Sequence, residues 1–179
     1  MNKIKQNKTA PRVVPSKHEK YMGLAMWMAS FSKDPNTQVG AFIVSGDNYP
    51  LGWGYNGTPR SIDDDDVDWS RPLKYDFIVH AEDNAIQNAV ESVYGSILYV
   101  TARPCKKCML RIVSAGIKEV IYFPFNSVDE KSTLHIKTSE SDIVDEIAEL
   151  GSVELTKFEG NLNWMRDRIG FMSDLGIFS

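Results

Sequence analysis

ILYVTARPCKKCMLRIVSAGIKEVIYF, residues 97–123, alternates between two structural periods. Ile97 to Thr101 is a short run of β-branched and aromatic residues and predicts a strand. Pro104 suits a first helical turn and Gly116 the position just past a helix end, so 104–115 is expected to be helical. VIYF (120–123) predicts the next strand. Upstream, a helix is expected from His80 to Ser92. Before it, VGAFIVS (39–45) and LGWGY (51–55), joined by the turn GDNYP (46–50), predict a hairpin. Ser16 and Glu19 have capping-box spacing at the head of a helix over 16–32, which KDPN (33–36) ends with turn chemistry. Downstream, Ser141 to Leu150 reads as a helix stopped by Gly151, and Val153 to Phe158 as a last strand. The final twenty residues, with Trp164 and Phe171, read as a terminal helix. Helix, hairpin, then alternating helix and strand predict a three-layer α/β/α sandwich around a mixed five-stranded sheet.

The chain of 179 residues is sized for one domain, expected over 16–179 behind an extended arm (1–15) that holds Pro11 and Pro15. A hydrophobic fraction of 42% and a charged fraction of 25% exclude a largely disordered or coiled-coil chain. No apolar run approaches the roughly 20 residues that span a bilayer, and MNKIKQNKTAPRVVP lacks the apolar stretch of a secretory leader. A cytoplasmic setting is expected. The net charge of −4 argues against a duplex nucleic-acid partner, although a single phosphate on a small ligand needs only a few local donors. One polar segment, Asn56 to Asp76, has no predicted element; a loop of that length in a compact domain is functional or mobile.

Two short segments carry the chemistry. His80-Ala81-Glu82 and Pro104-Cys105-Lys106-Lys107-Cys108 each open a predicted helix. In a reducing compartment two cysteines two residues apart are a redox pair or metal ligands. A zinc ribbon would need a second ligand pair, and the remaining His18, His80 and His135 lack the spacing. A redox motif would leave His80 and Glu82 unexplained. One imidazole and two thiolates instead make the three protein ligands of a catalytic zinc site, whose fourth position is open to water. Glu82 is too near His80 in sequence to complete the shell and is placed to move protons for that water. Zinc lowers the water's pKa to about 7, and the helix N-termini help ionise the thiols. H-x-E followed by P-C-x-x-C is the signature of zinc nucleobase deaminases.

With SKDPNTQVGA (32–41), GYNGTP (54–59), HAEDNAI (80–86), ARPCKKC (102–108) and AGIKEVIY (115–122), the chain resembles the deoxycytidylate deaminase family from about residue 20 to 125. The resemblance implies hydrolysis of deoxycytidine monophosphate (dCMP) to deoxyuridine monophosphate (dUMP) and ammonia, with one zinc on His80, Cys105 and Cys108 and Glu82 as proton carrier. It implies that Asn56 meets the sugar hydroxyl, that the Ala81 amide holds the base carbonyl, and that Asn36 lies near the nucleotide. It also implies a hexamer regulated by deoxycytidine and thymidine triphosphates (dCTP and dTTP), with Asp65 and Asp66 of RSIDDDDVDW (60–69) positioning a triphosphate with Mg2+. From the residues alone, Asn36 is as readily a turn residue, and Asn56 before Gly57 has a turn reading beside the favoured functional one. The aspartate run reads as a solvated loop, and Arg103, Lys106 and Lys107 as either phosphate donors or a solvated helix start. A deaminase for another base (tRNA adenosine, free cytosine or a pterin-like ring), or a zinc-bound subunit without catalysis, stays open.

Overall fold

The computed structural model describes residues 14–124 and 137–174; most of the expected arm lies outside them. The capping box forms as expected at Ser16: its hydroxyl accepts from the Glu19 amide and the Glu19 carboxylate accepts from the Ser16 amide at 2.8 Å. Helix α1 (Lys17–Ala29) follows, then strands β1 (Gly40–Val44) and β2 (Pro50–Tyr55) of the hairpin. After two short 3-10 turns, Asp64–Asp66 and Leu73–Asp76, come helix α2 (Ala81–Gln87), β3 (Ile97–Val100), α3 (Lys106–Ser114), β4 (Glu119–Tyr122), α4 (Lys137–Leu150), β5 (Glu154–Lys157) and α5 (Asn163–Asp174). The sheet order is β2-β1-β3-β4-β5. β1 is antiparallel to β2 and β3, whereas β3, β4 and β5 run parallel, so the sheet is mixed as the sequence predicts.

Alternation along the strands divides the core into two layers. Ala41, Ile43, Leu98, Val100 and Val120 face the side that buries Ala85, Met109, Ile112 and Val144 of α2, α3 and α4. Phe42, Val44, Ile97, Tyr99 and Ile121 face the other side, with Tyr21, Met22 and Ala25 of α1. α5 adds to this second layer, where Trp164 and Met165 lie against Gly23 of α1. The expected α/β/α sandwich is therefore present. No helix among the described residues is long and apolar enough to cross a membrane.

Two boundaries differ from expectation. α2 stops at Gln87, short of the expected Ser92. Asn88 caps it by donating its side-chain amide to the Trp53 carbonyl at 3.2 Å, and the Val90 amide then donates to Leu51. The chain leaves the helix to follow the edge strand. α3 starts at Lys106, with Cys105 as its N-cap in extended backbone; a ligand at that position points out of the helix. Gly116 takes a φ of 74° past the end of α3, a left-handed conformation that favours glycine.

α2 sits on bare backbone. A Cβ built on Gly54 would lie 2.5 Å from the Ala85 amide nitrogen, and one on Gly52 would lie 2.4 Å from the Ala85 carbonyl oxygen. The two glycines let α2 approach β2 this closely, and Asn84 fastens it by donating to the Tyr55 carbonyl at 2.8 Å. The long polar segment between β2 and α2 is pinned at its base by a single antiparallel bridge: Gly57 donates to Val79 at 3.1 Å and Val79 to Gly57 at 2.9 Å.

Candidate metal and nucleotide site

The sheet brings the starts of α2 and α3 together, so that the two N-caps, His80 and Cys105, face each other. Neither side chain caps its own helix. His80 Nδ1 lies 3.2 Å from Cys108 Sγ and 3.7 Å from Cys105 Sγ. The donor atoms of the three residues all lie within 4.8 Å of one another. Zinc bonds of about 2.0 Å to nitrogen and 2.3 Å to sulfur in a tetrahedron put the N···S edge at roughly 3.5 Å, so the donor set fits that ion in kind, number and spacing. His80 is exposed, Cys105 half-buried and Cys108 buried.

The thiols act as a pair. The hydrogen bond from Cys108, reinforced by His80, pulls Cys105 down to about 3 against the opposing effect of burial. Cys108, sharing that hydrogen bond and buried beside Glu82, is pushed far up. The hydrogen bond to Cys105 likewise raises His80. A cation held by these donors would compete with their protons.

Glu82, one helical residue beyond Ala81, is 4% exposed. Burial pushes its carboxyl up, although His80 and the backbone work the other way. Both residues line a cavity of about 190 Å³ together with His80, Cys105 and Asn56. Ala81 is fully buried and opens α2, so its amide is among those the helix leaves without an intrahelical acceptor. Asn56 is 6% exposed; its Oδ1 accepts from the Val39 amide at 2.7 Å, and its Nδ2 donates to the Thr37 carbonyl at 2.9 Å.

Other candidates fall elsewhere. Asn36 is exposed and stands outside the cavity wall; its amide donates to Asp34 at 2.8 Å, and the neighbours Asp34 and Thr37 line the wall instead. Arg103 lines the cavity while donating to the Tyr122 hydroxyl at 2.9 Å and to Asp145 at 2.6 Å. Lys106 and Lys107 are exposed outside it. Asp65 and Asp66 are exposed in their 3-10 turn, away from the cavity. Their neighbour Asp64 is the engaged aspartate, pairing with Lys33 and accepting from Thr58 at 2.6 Å.

Sequence reasoning passed over Asp34, Lys74, Tyr75 and Ile78, all in the wall. Asp34 and Lys74 form an ion pair with side chains 3% and 2% exposed. The one signal was a lysine set among Leu73, Tyr75, Phe77 and Ile78, an apolar setting for a charge.

A three-donor metal site beside a buried carboxyl, at facing helix starts on an α/β/α sandwich, defines the class of zinc-dependent nucleobase deaminases. The chain belongs to the cytidine and deoxycytidylate deaminase family: the profile of the "Cytidine and deoxycytidylate deaminase zinc-binding region" matches residues 15–124. It is 45% identical over 111 residues to the deoxycytidylate deaminase of Homo sapiens, a match covering 58% of this chain and 62% of that protein. With the Mus musculus deoxycytidylate deaminase it shares 42% over 122 residues, covering 64% and 68%. The chain thus spans about three fifths to two thirds of these relatives' length. Among solved structures, dCMP deaminase from the cyanophage S-TIM5 in complex with dCMP and dUMP is similar, with a TM-score of 0.60 and 28% identity over 82% of this chain and all of that one.

Proposed function

We propose that this chain hydrolyses dCMP to dUMP and ammonia. The observation that carries the reading is the convergence of His80, Cys105 and Glu82 on the wall of one cavity, in a chain whose relatives are deoxycytidylate deaminases. His80, Cys105 and Cys108 would hold zinc, which when bound supplies the Lewis acidity that makes water a nucleophile near neutral pH. Glu82 does the proton work. Its carboxyl takes a proton from the attacking water and sets it on ring nitrogen 3. It then carries the remaining hydroxyl proton to the exocyclic nitrogen. Carbon 4 gains oxygen and loses ammonia, and nitrogen 3 keeps its hydrogen, as uracil requires. Burial raises the proton affinity of the Glu82 carboxyl, which suits a group that must accept a proton from water.

The Ala81 amide donates to the base carbonyl, and Asn56 Oδ1 accepts from the sugar hydroxyl. Of the three flanking cations, Arg103 alone lines the cavity, which favours it as the phosphate neighbour. The setting is cytoplasmic, and the assembly is a homo-oligomer, a hexamer by family resemblance. The exposed aromatics Trp27, Phe31, Trp53 and Tyr55 on α1, just beyond it and on the edge strand β2 support an assembly surface. The effectors dCTP and dTTP, with Mg2+, act at the 60–69 loop; a hollow lined by Lys33, Tyr55, Thr58, Arg60 and Asp64 supports this.

The test is ammonia release by zinc-loaded protein given dCMP, deoxycytidine or dCTP in parallel. Turnover of the monophosphate alone supports the reading. A protein that binds one zinc per chain and turns over none of the three refutes it.

A further inference from the structure

Asp34 and Lys74 are 40 residues apart, yet they form a buried ion pair in the cavity wall. The turn after α1 supplies the aspartate, and the 3-10 turn Leu73–Asp76 supplies the lysine. Lys74 Nζ donates to both carboxylate oxygens, at 2.7 and 2.6 Å. Asp34 Oδ1 also accepts from the Asn36 amide at 2.8 Å and the Thr37 amide at 3.1 Å. Its Oδ2 accepts from Asn56 Nδ2 at 3.4 Å. A charge pair this dry gains little stability over well-packed apolar groups, so its place beside the ligand cavity asks for another role.

The network leaves Asn56 one orientation. Both of its amide hydrogens are used, one on the Thr37 carbonyl and one on Asp34, while Oδ1 accepts from Val39. A flipped amide would set its NH2 against the Val39 N–H and its oxygen against the Asp34 carboxylate and the Thr37 carbonyl. An amide oxygen accepts two hydrogen bonds; with Val39 occupying one, the remaining capacity of Asn56 toward the cavity is as an acceptor. Asp34 supports that selection in two ways: as an ionised, acceptor-only group it takes one Asn56 hydrogen, and by holding the Thr37 amide it shapes the turn that presents the Thr37 carbonyl to the other. Burial works against ionisation, but the Lys74 ammonium and the two amides outweigh it and hold the carboxyl below its ordinary range.

The geometry points to the Asp34–Lys74 pair as a positioning device: it fixes the Asn56 amide so that the cavity offers an acceptor, and so selects nucleotides that carry a sugar hydroxyl. This rests on the reading of the cavity as a nucleotide site. In dCMP the 3′-hydroxyl is the single sugar hydroxyl, so the donor to Asn56 is fixed by the chemistry of the substrate.

The experiment compares kcat/KM for dCMP, 2′,3′-dideoxycytidine monophosphate and deoxycytidine in zinc-loaded wild type and in the paired variant Asp34→Asn/Lys74→Met. The paired variant removes both charges together and strands neither. Loss of a neutral hydrogen bond is worth about tenfold, so the wild type is expected to prefer dCMP over its dideoxy analogue by about that factor. In the paired variant the preference falls to about twofold or less, while the preference for monophosphate over nucleoside is kept. Asn56→Ala gives the same collapse. If the paired variant does not fold by circular dichroism, Asp34→Asn/Lys74→Gln, which also removes both charges, takes its place. A uniform loss that leaves the hydroxyl preference intact overturns the proposal and makes the pair purely structural. Collapse of the monophosphate preference instead also overturns it and makes Lys74 a phosphate contact. A wild type active on dCMP separates these failures from failure of the functional reading, which a wild type inert toward every cytosine nucleotide would bring down together with the proposal.

Discussion

Glu82 shows what a side chain gives up for chemistry. A buried carboxyl with a raised pKa binds its proton more tightly folded than unfolded. Its contribution to stability is therefore present below the ordinary glutamate value and is lost as pH rises through the raised one. Glu82→Gln removes that liability. The variant is expected to bind zinc as the wild type does, to lose ~100- to 10,000-fold in kcat, and, in the zinc-free state at neutral pH, to melt about a few degrees higher. Zinc titration, ammonia release and calorimetry check the three parts, and an active variant would remove Glu82 from the proton path. Asp34 has the opposite sign. Held low, it stabilises the fold above the ordinary aspartate value near pH 4, and that contribution is lost as pH falls below it. Melting curves from about pH 5 down to pH 2 should fall more steeply for the wild type than for Asp34→Asn/Lys74→Met; parallel curves would contradict the assignment. The metal donors and Glu82 were legible because their chemistry sits in two short motifs. The Asp34–Lys74 pair was not, since 40 residues and a loop without periodicity separate its halves.

Among the elements, strands were easier to read than helix ends. Each strand has its own β-rich run, and the alternation of Ala41, Phe42, Ile43 and Val44 between two core layers is written in the hairpin itself. α2 ends early because Asn88 and Val90 bond to the edge strand, and such a tertiary hydrogen bond leaves no trace in local propensity. Nor did the sequence announce that α2 rests on Gly52 and Gly54, though GWGY reads as a strand with two unexplained gaps. Gly54→Ala should force α2 outward and carry His80 and Glu82 with it. Overpacking of this kind costs about 1–3 kcal/mol. The variant is expected to lose both thermal stability and zinc affinity, as a competing chelator would report. A substitution that lowers stability while leaving zinc affinity unchanged would show that β2 can yield without moving the site.

For the whole molecule, layer order and sheet composition followed from the order of elements, while the cavity depended on how the long loop folds back, which no periodicity encodes. Assembly and regulation also belong to this scale. Light scattering should show the chain as a homo-oligomer, and velocity against dCMP should be sigmoidal until dCTP makes it hyperbolic. A monomer with hyperbolic kinetics indifferent to dCTP and dTTP would contradict both. The bridge between Gly57 and Val79 has a consequence for how such a protein diversifies. The loop leaves and re-enters the body at adjacent points, so the residues between can be lengthened, shortened or exchanged without redirecting the strand before them or the helix after them. The loop carries Lys74, Tyr75 and Ile78 to the cavity, whereas His80, Glu82 and Cys105 reach the same cavity from residues beyond the loop. One side of the cavity is thereby a replaceable cassette, set against a fixed chassis that carries the metal donors, Glu82 and Asn56.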